Sequence, residues 1–320
     1  MNFLSKFNFN YHSKILNAFL QNKNYSEFIS HLLSLSNSKK ETFARLVQKF
    51  HPFFYEDALI QDRLPKKIIW LISFNNSDTL YLSKFLNAYL QFKNIDFDGF
   101  QSYPNRIAKF NDLHNQNEYS LDDQLNRHCF YQTLINNLTP SDYALTGSCS
   151  AFYETQDKKY FTYPYTSAFY VYFIRNPLSL YSDLKQKHKD KTAGISELFN
   201  YEKATHLESI NGLNIEENKQ GWAVHVNSWV NENVKNTLRG LILKEEDLME
   251  NPLETLSEII IHFNQHTDST IDLDYQFISN YLDQNPILFA PLDEIQISNQ
   301  ELKMIDREVG ALKNILHYKF

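Results

Sequence analysis

Two short segments of this sequence place anion-binding groups at the ends of apolar runs. Phe169-Tyr170-Val171-Tyr172-Phe173-Ile174 is an aromatic and β-branched run that stops at Arg175-Asn176-Pro177. A buried strand of that kind delivers one cation to the end of a sheet, and the proline stiffens the turn that follows. Ile68-Ile69-Trp70-Leu71-Ile72 is a second apolar run, and it leads into the polar turn Ser73-Phe74-Asn75-Asn76-Ser77-Asp78-Thr79. Leu80, Leu82, Phe85, Leu86 and Tyr89 follow at helical spacing, so Ser77, Asp78 and Thr79 fall at a helix N-terminus, where backbone N–H groups and the helix dipole favour a phosphate or sulfate. Arg175 reads equally well as an anion ligand or as half of a structural ion pair. Ser77 and Thr79 are explained by helix capping alone.

The elements that must position these groups follow from the hydrophobic pattern. The first 60 residues carry apolar positions at helical spacing, at Ile15, Phe19, Leu20, Phe28, Leu32, Leu33, Phe43, Leu46, Val47 and Phe50. The pattern predicts a helical extension over residues 1–64, packed as a layer or open to a protein partner through residues 1–60, and an α/β domain over 65–320. Strands are expected at Ile68–Ile72, Asp142–Thr146, Tyr170–Arg175 and Leu238–Lys244. Helices are expected at Ser120–Leu138, Leu178–His188, Trp222–Val234, from Pro252 to Phe263, and at Ser298–Leu316. Residues 94–142 read as polar and irregular apart from the Ser120–Leu138 helix, and 190–218 as a mobile region over the site. Alternating strands and helices with short connections imply a parallel central sheet flanked by helices.

Composition narrows the class. The 320 residues carry a net charge of −7, which argues against a nucleic-acid binder, since phosphate neutralisation needs a basic surface. Seven glycines leave no glycine-built repeat or linker. Cys129 and Cys149 have no metal-ligand spacing and read as reduced thiols in a cytoplasmic protein. No metal site, signal peptide or membrane span is expected.

With the elements placed, the chain from Lys66 to Phe320 resembles the PAPS-dependent sulfotransferases. Trp70-Leu71-Ile72-Ser73-Phe74, with Ser77, Thr79, Tyr81 and Leu82, is similar to that family's first donor loop. Tyr163-Pro164 through Arg175-Asn176-Pro177-Leu178, with Ser182, is similar to its second donor motif. Gly221-Trp222, His225-Val226 and Ser228-Trp229 resemble a third segment, and Leu243-Lys244-Glu245-Glu246-Asp247-Leu248 with Asn251-Pro252 a fourth. The resemblance implies a P-loop-like sulfotransferase fold, PAPS or its product PAP as cofactor, and Ser77, Asp78, Thr79, Arg175 and Ser182 as donor-site positions. It implies sulfuryl transfer to a hydroxyl or amine of a small-molecule or glycan acceptor.

The same comparison exposes departures. Asn76 stands where the family has its donor-loop lysine, and Asp78 where it has glycine. A carboxylate there repels a 5′-phosphosulfate and adds a side chain where backbone must approach the anion. The position of the family's catalytic histidine falls on Cys149 or Gly147, depending on register, and neither supplies an imidazole. Cys149 acts as a base only with a lowered pKa. His128 is a candidate replacement base from another element, and Asn76, Cys149 and His128 are the catalytic candidates. His225, between two tryptophans, reads as a packed structural histidine. Lys185-Gln186-Lys187-His188-Lys189 reads as a solvated basic face, and Glu246 with Asp247 as a turn or cap. Two functions fit: a sulfotransferase with an unusual base, or an inactive sulfotransferase-like protein that binds or regulates a partner. A kinase-like P-loop enzyme does not fit, because the sequence lacks G-x-x-x-x-G-K-[ST].

Overall fold

A computed structural model describes residues 3–35, 38–39, 42–43, 45–47, 49–50, 64–75, 79–108, 121–152, 160–187, 205–210, 213–218, 221–287, 297–310 and 312–318. The chain opens with two helices, α1 (Phe3–Gln21) and α2 (Tyr25–Ser34), joined by a turn in which Asn24 accepts from the Glu27 N–H as N-cap. Then come β1 (Ile68–Ser73), α3 (Leu80–Phe92), β2 (Phe97–Ser102), α4 (Tyr103–Ala108), α5 (Leu121–Leu138), β3 (Tyr143–Ser148) and β4 (Ser167–Ile174). The second half holds α6 (Pro177–Lys187), β5 (Thr205–Ile210), β6 (Leu213–Asn218), α7 (Trp222–Val230), α8 (Glu232–Leu238) and β7 (Gly240–Lys244). It closes with α9 (Glu245–Glu250), α10 (Pro252–His266), α11 (Tyr275–Gln284), α12 (Asn299–Val309) and α13 (Leu312–Ile315).

Five strands form a parallel sheet in the order β2-β3-β1-β4-β7. The three central strands are buried along their whole length, which is why β1 and β4 read as unbroken apolar runs. Alternate residues feed two cores. Ile69, Leu71, Phe169, Val171 and Phe173 pack under α3, α10 and α11. Ile68, Trp70, Ile72, Tyr170 and Tyr172 pack under α5, α6, α7 and the C-terminal helices. Leu16, Phe28, Ile29 and Leu32 of α1 and α2 belong to that second cluster, so the N-terminal helices share the core of the sheet.

Several expectations change. Phe97–Ser102 falls inside a stretch read as irregular, yet it is the edge strand β2. Arg106 holds it, with its guanidinium donating to the Asp98 carboxylate and to the carbonyls of Gly99 and Leu145. Residues 205–218 contain an antiparallel hairpin, β5–β6. The single helix expected over Trp222–Val234 breaks at Asn231, whose backbone leaves the helical region and whose side chain caps α8. The last helix breaks at Gly310, with φ +51°.

Topology locates the crevice. The connection from β1 runs through α3 toward β2 at one edge, whereas that from β4 runs toward β7 at the other. The sheet therefore reverses its winding between β1 and β4, the point at which open α/β sheets bind ligands outside the carboxyl ends of the strands. Register sets Ser73 beside Phe173 and Ile174 beside Lys244, so residues 74–75, 175–176 and 245–246 share one rim.

Candidate functional site

At this rim the R-N-P turn is locked by acidic side chains. Arg175 is buried, with 6% exposure. Its Nη1 donates to Asp183 Oδ2 at 2.7 Å and its Nη2 to Ser179 Oγ at 2.6 Å, while Nε lies 3.6 Å from Glu245 Oε2. The spacing 175, 179, 183 follows from α6 starting immediately after the turn, since residues four apart share a helix face. Glu245 opens α9 directly after β7, and the register that pairs Ile174 with Lys244 brings it beside Arg175. Glu245 is buried and also accepts from the Asn176 N–H at 3.0 Å and the Ser179 hydroxyl at 2.8 Å.

The Asn176 side chain does two things at once. Its Oδ1 accepts from the Leu178 N–H as a cap for α6, Pro177 fills the first helical position, and its Nδ2 donates to Glu246 Oε1. Burial pushes the Glu246 carboxyl above its ordinary value, and the Asn176 hydrogen bond opposes that shift. Its other oxygen, Oε2, is buried with no hydrogen-bond partner among the described residues. Lys244 lies 3.8 Å from Asp247. Four carboxylates, Asp183, Glu245, Glu246 and Asp247, thus surround two cations, Arg175 and Lys244.

The other strand ends are tied to α7. His225 is fully buried, with Nε2 3.1 Å from the Cys149 carbonyl and Nδ1 2.8 Å from the Tyr172 hydroxyl. A carbonyl only accepts, so Nε2 carries the proton, and when the ring is neutral Nδ1 accepts from the Tyr172 hydroxyl. Phe74 packs edge-on against the imidazole at 5.6 Å. Trp229 Nε1 donates to the Ser150 carbonyl and Ser228 Oγ accepts from the Phe152 N–H. The histidine fastens β1, β3 and β4 together through α7.

The predicted site residues are distributed as follows. Asn76, Ser77 and Asp78 lie outside the described residues. Thr79 is buried at the N-cap position of α3; its side chain makes no cap bond, and its carbonyl accepts from the Ser83 N–H. Ser182 is half-buried on α6 and makes no hydrogen bond among the described residues; the hydroxyl that meets Arg175 is that of Ser179. Cys149 follows β3, fully buried, with its carbonyl engaged by His225. Gly147 lies within β3, where an added Cβ would come 2.6 Å from the Phe100 ring, so close packing requires glycine there. His128 is buried on α5, with Nδ1 3.0 Å from the Tyr103 hydroxyl and its ring against Phe161. Lys185 of the basic run pairs with Glu301 of α12, and His188 and Lys189 lie outside the described residues. The structure brings Arg175, Ser179, Asp183 and Glu245 together. Sequence reasoning missed the last three as Arg175 partners; the i, i+4, i+8 spacing of Arg175, Ser179 and Asp183 was the available signal.

Among the described residues no group of three or more His, Cys, Asp or Glu side chains is arranged to hold a metal ion, and no helix is long and apolar enough to cross a membrane.

Fold and rim define a doubly wound parallel α/β protein with a cluster of charged side chains at its topological switch point. No protein-family profile matches the chain, and no curated protein matches it. Among solved structures it is similar to mouse sulfotransferase SULT7A1 complexed with PAP, at 14% identity over 79% of each chain and a TM-score of 0.40. It is also similar to the sulfotransferase domain from the curacin biosynthetic pathway, at 12% identity over 80% of this chain and 99% of that one, with a TM-score of 0.38.

Proposed function

We propose that this chain is a sulfotransferase-like protein that no longer transfers a sulfuryl group and keeps the fold as a partner-binding or regulatory module. One observation carries the reading: the guanidinium of Arg175, the cation the motif would offer to a donor 3′-phosphate, is already compensated by Asp183 and Glu245. Asp183 is half-exposed and can swing away, but Glu245 is buried and fixed by the Asn176 N–H and the Ser179 hydroxyl. A phosphate placed on Arg175 would then sit close to a carboxylate. Two like charges about 4 Å apart repel by about 4 kcal/mol at the effective dielectric of a protein surface, enough to cancel a charge-assisted contact.

The sequence departures support the same reading. Asn76 carries no charge to stabilise a leaving phosphate, and Asp78 is repulsive to one. Gly147 has no side chain, and the buried Cys149 has its carbonyl, not a base, toward His225. Each lost group of this kind typically removes a factor of roughly 10²–10³ in rate. The helices α1 and α2 supply a helical layer, and the face of α1 that carries Tyr11, 55% exposed, is the surface offered to a protein partner.

Incubation with radiolabelled PAPS and a panel of phenol, sugar and amine acceptors tests the proposal. Transfer at the background rate, identical for wild type and Arg175→Ala, is the expected result. Transfer above background that Arg175→Ala abolishes would overturn it and restore the active reading, in which Asp183 gives way to the donor.

A further inference from the structure

The C-terminal residues fold back onto the rim. After α12, Gly310 reverses the chain, α13 follows, and His317 adopts φ +59°, a left-handed conformation that turns Tyr318 inward. Leu312, Leu316 and Tyr318 are each 7% exposed and join the core cluster of Tyr172 and Trp222, while Ile315 between them is 61% exposed. The Tyr318 ring lies 6.3 Å from that of Trp222. Burial, then the nearby carboxylates of Glu246, Glu245 and Asp247, hold the Tyr318 phenol above its ordinary value, which sets it beside the acidic end of β7.

Trp222 Nε1, on a fully buried ring, and Glu246 Oε2 are buried in this neighbourhood with no hydrogen-bond partner among the described residues. Buried polar groups are normally satisfied, and a stranded donor or acceptor weighs against the state that strands it. Two backbone hydrogen bonds within the tail, Leu316 N–H to the Leu312 carbonyl and Tyr318 N–H to the Lys313 carbonyl, are local and survive its displacement.

We propose that residues 312–318 are a releasable strap over the rim between α7 and β7, held shut by the packing of Leu316 and Tyr318 and opposed by the two polar atoms enclosed there. Release hydrates Trp222 Nε1 and the Glu246 carboxyl while leaving the sheet intact. The inference does not rest on the state of the donor site.

Acrylamide quenching of tryptophan fluorescence reads the strap directly, because Trp70, Trp222 and Trp229 are all fully buried when it is closed. Tyr318→Ala is expected to raise the quenching constant severalfold with the far-UV circular dichroism unchanged, and Tyr318→Phe, which keeps the packing, to raise it little. An Ala variant that folds and quenches like wild type would overturn the proposal. For the unmodified chain, low urea is expected to increase quenching before helix and sheet signals fall, since a local unit opens below the global transition. Quenching and circular dichroism that change together would likewise overturn it.

Discussion

Removing Glu245 tests the rim most sharply. The carboxylate accepts from the Asn176 N–H at 3.0 Å and the Ser179 hydroxyl at 2.8 Å, and lies 3.6 Å from the Arg175 Nε, in a site where both charged side chains are about 5% exposed. Breaking a buried pair by deleting one member leaves an uncompensated charge and typically costs about 3–5 kcal/mol. Asp183 still contacts Arg175 in the variant, but at 50% exposure it is screened, and an exposed pair contributes about 0–1 kcal/mol. Glu245→Ala is therefore expected to lower unfolding free energy by about 3–5 kcal/mol and Asp183→Asn by less than about 1 kcal/mol. The double variant Glu245→Ala, Arg175→Met should recover part of the loss, because it removes the stranded cation as well. Urea unfolding followed by tryptophan fluorescence and circular dichroism measures these variants together with wild type and the Arg175→Met single variant. A Glu245→Ala loss below about 1 kcal/mol, or a double variant as unstable as the sum of the singles, would refute the view that this acid neutralises Arg175.

Other consequences concern packing and pH. A Cβ at Gly240 would lie 2.2 Å from the Tyr170 ring, which its own hydrogen bond to the Trp229 carbonyl holds in place, so Gly240→Ala should cost about 1–3 kcal/mol or more by overpacking, read as a lower urea midpoint. Burial lowers His262 from 6.5 to about 4, so the unfolded chain takes up a proton that the folded chain refuses. Stability present above pH 6.5 should fall as pH drops toward 4, by up to about 3 kcal/mol, and His262→Gln should flatten that slope in pH-dependent unfolding. Glu301 is held near 2 by the Ser298 hydrogen bonds of the α12 capping box, with Tyr181 and Lys185 adding to it. Its contribution should be full above the ordinary carboxylate value of 4.5 and vanish as pH falls toward 2, a loss that Glu301→Gln removes from the acid-unfolding curve.

The sheet was legible where strands are buried on both faces. β1 and β4 announce themselves as apolar runs, and the proline after Asn176 fixes where β4 ends. β2 was not legible, because an edge strand with Asp98, Gly99 and Gln101 is only half-buried and carries no continuous apolar signal; a buried arginine eight residues on holds it in place. The break at Asn231 was hidden for a different reason. Amphipathic spacing continues through it from Val230 to Val234, and only the Asn231 side-chain cap reveals that one helix has become two. At the site, the sequence pointed to Arg175 and to its two readings, an anion ligand or an ion pair. What chooses between them is Glu245, seventy positions later in the chain and adjacent only through the parallel register of β4 and β7. No local pattern encodes that neighbour. For the same reason Ser182 stood out by family spacing, whereas the contact is made by Ser179, one helical turn from the arginine.

The central claim is that the rim cation is already spent on acids of the chain itself. Isothermal titration of the full chain with PAP examines it directly. The account predicts no binding heat up to millimolar PAP, for wild type and Arg175→Ala alike. Micromolar binding by wild type that Arg175→Ala abolishes would contradict it.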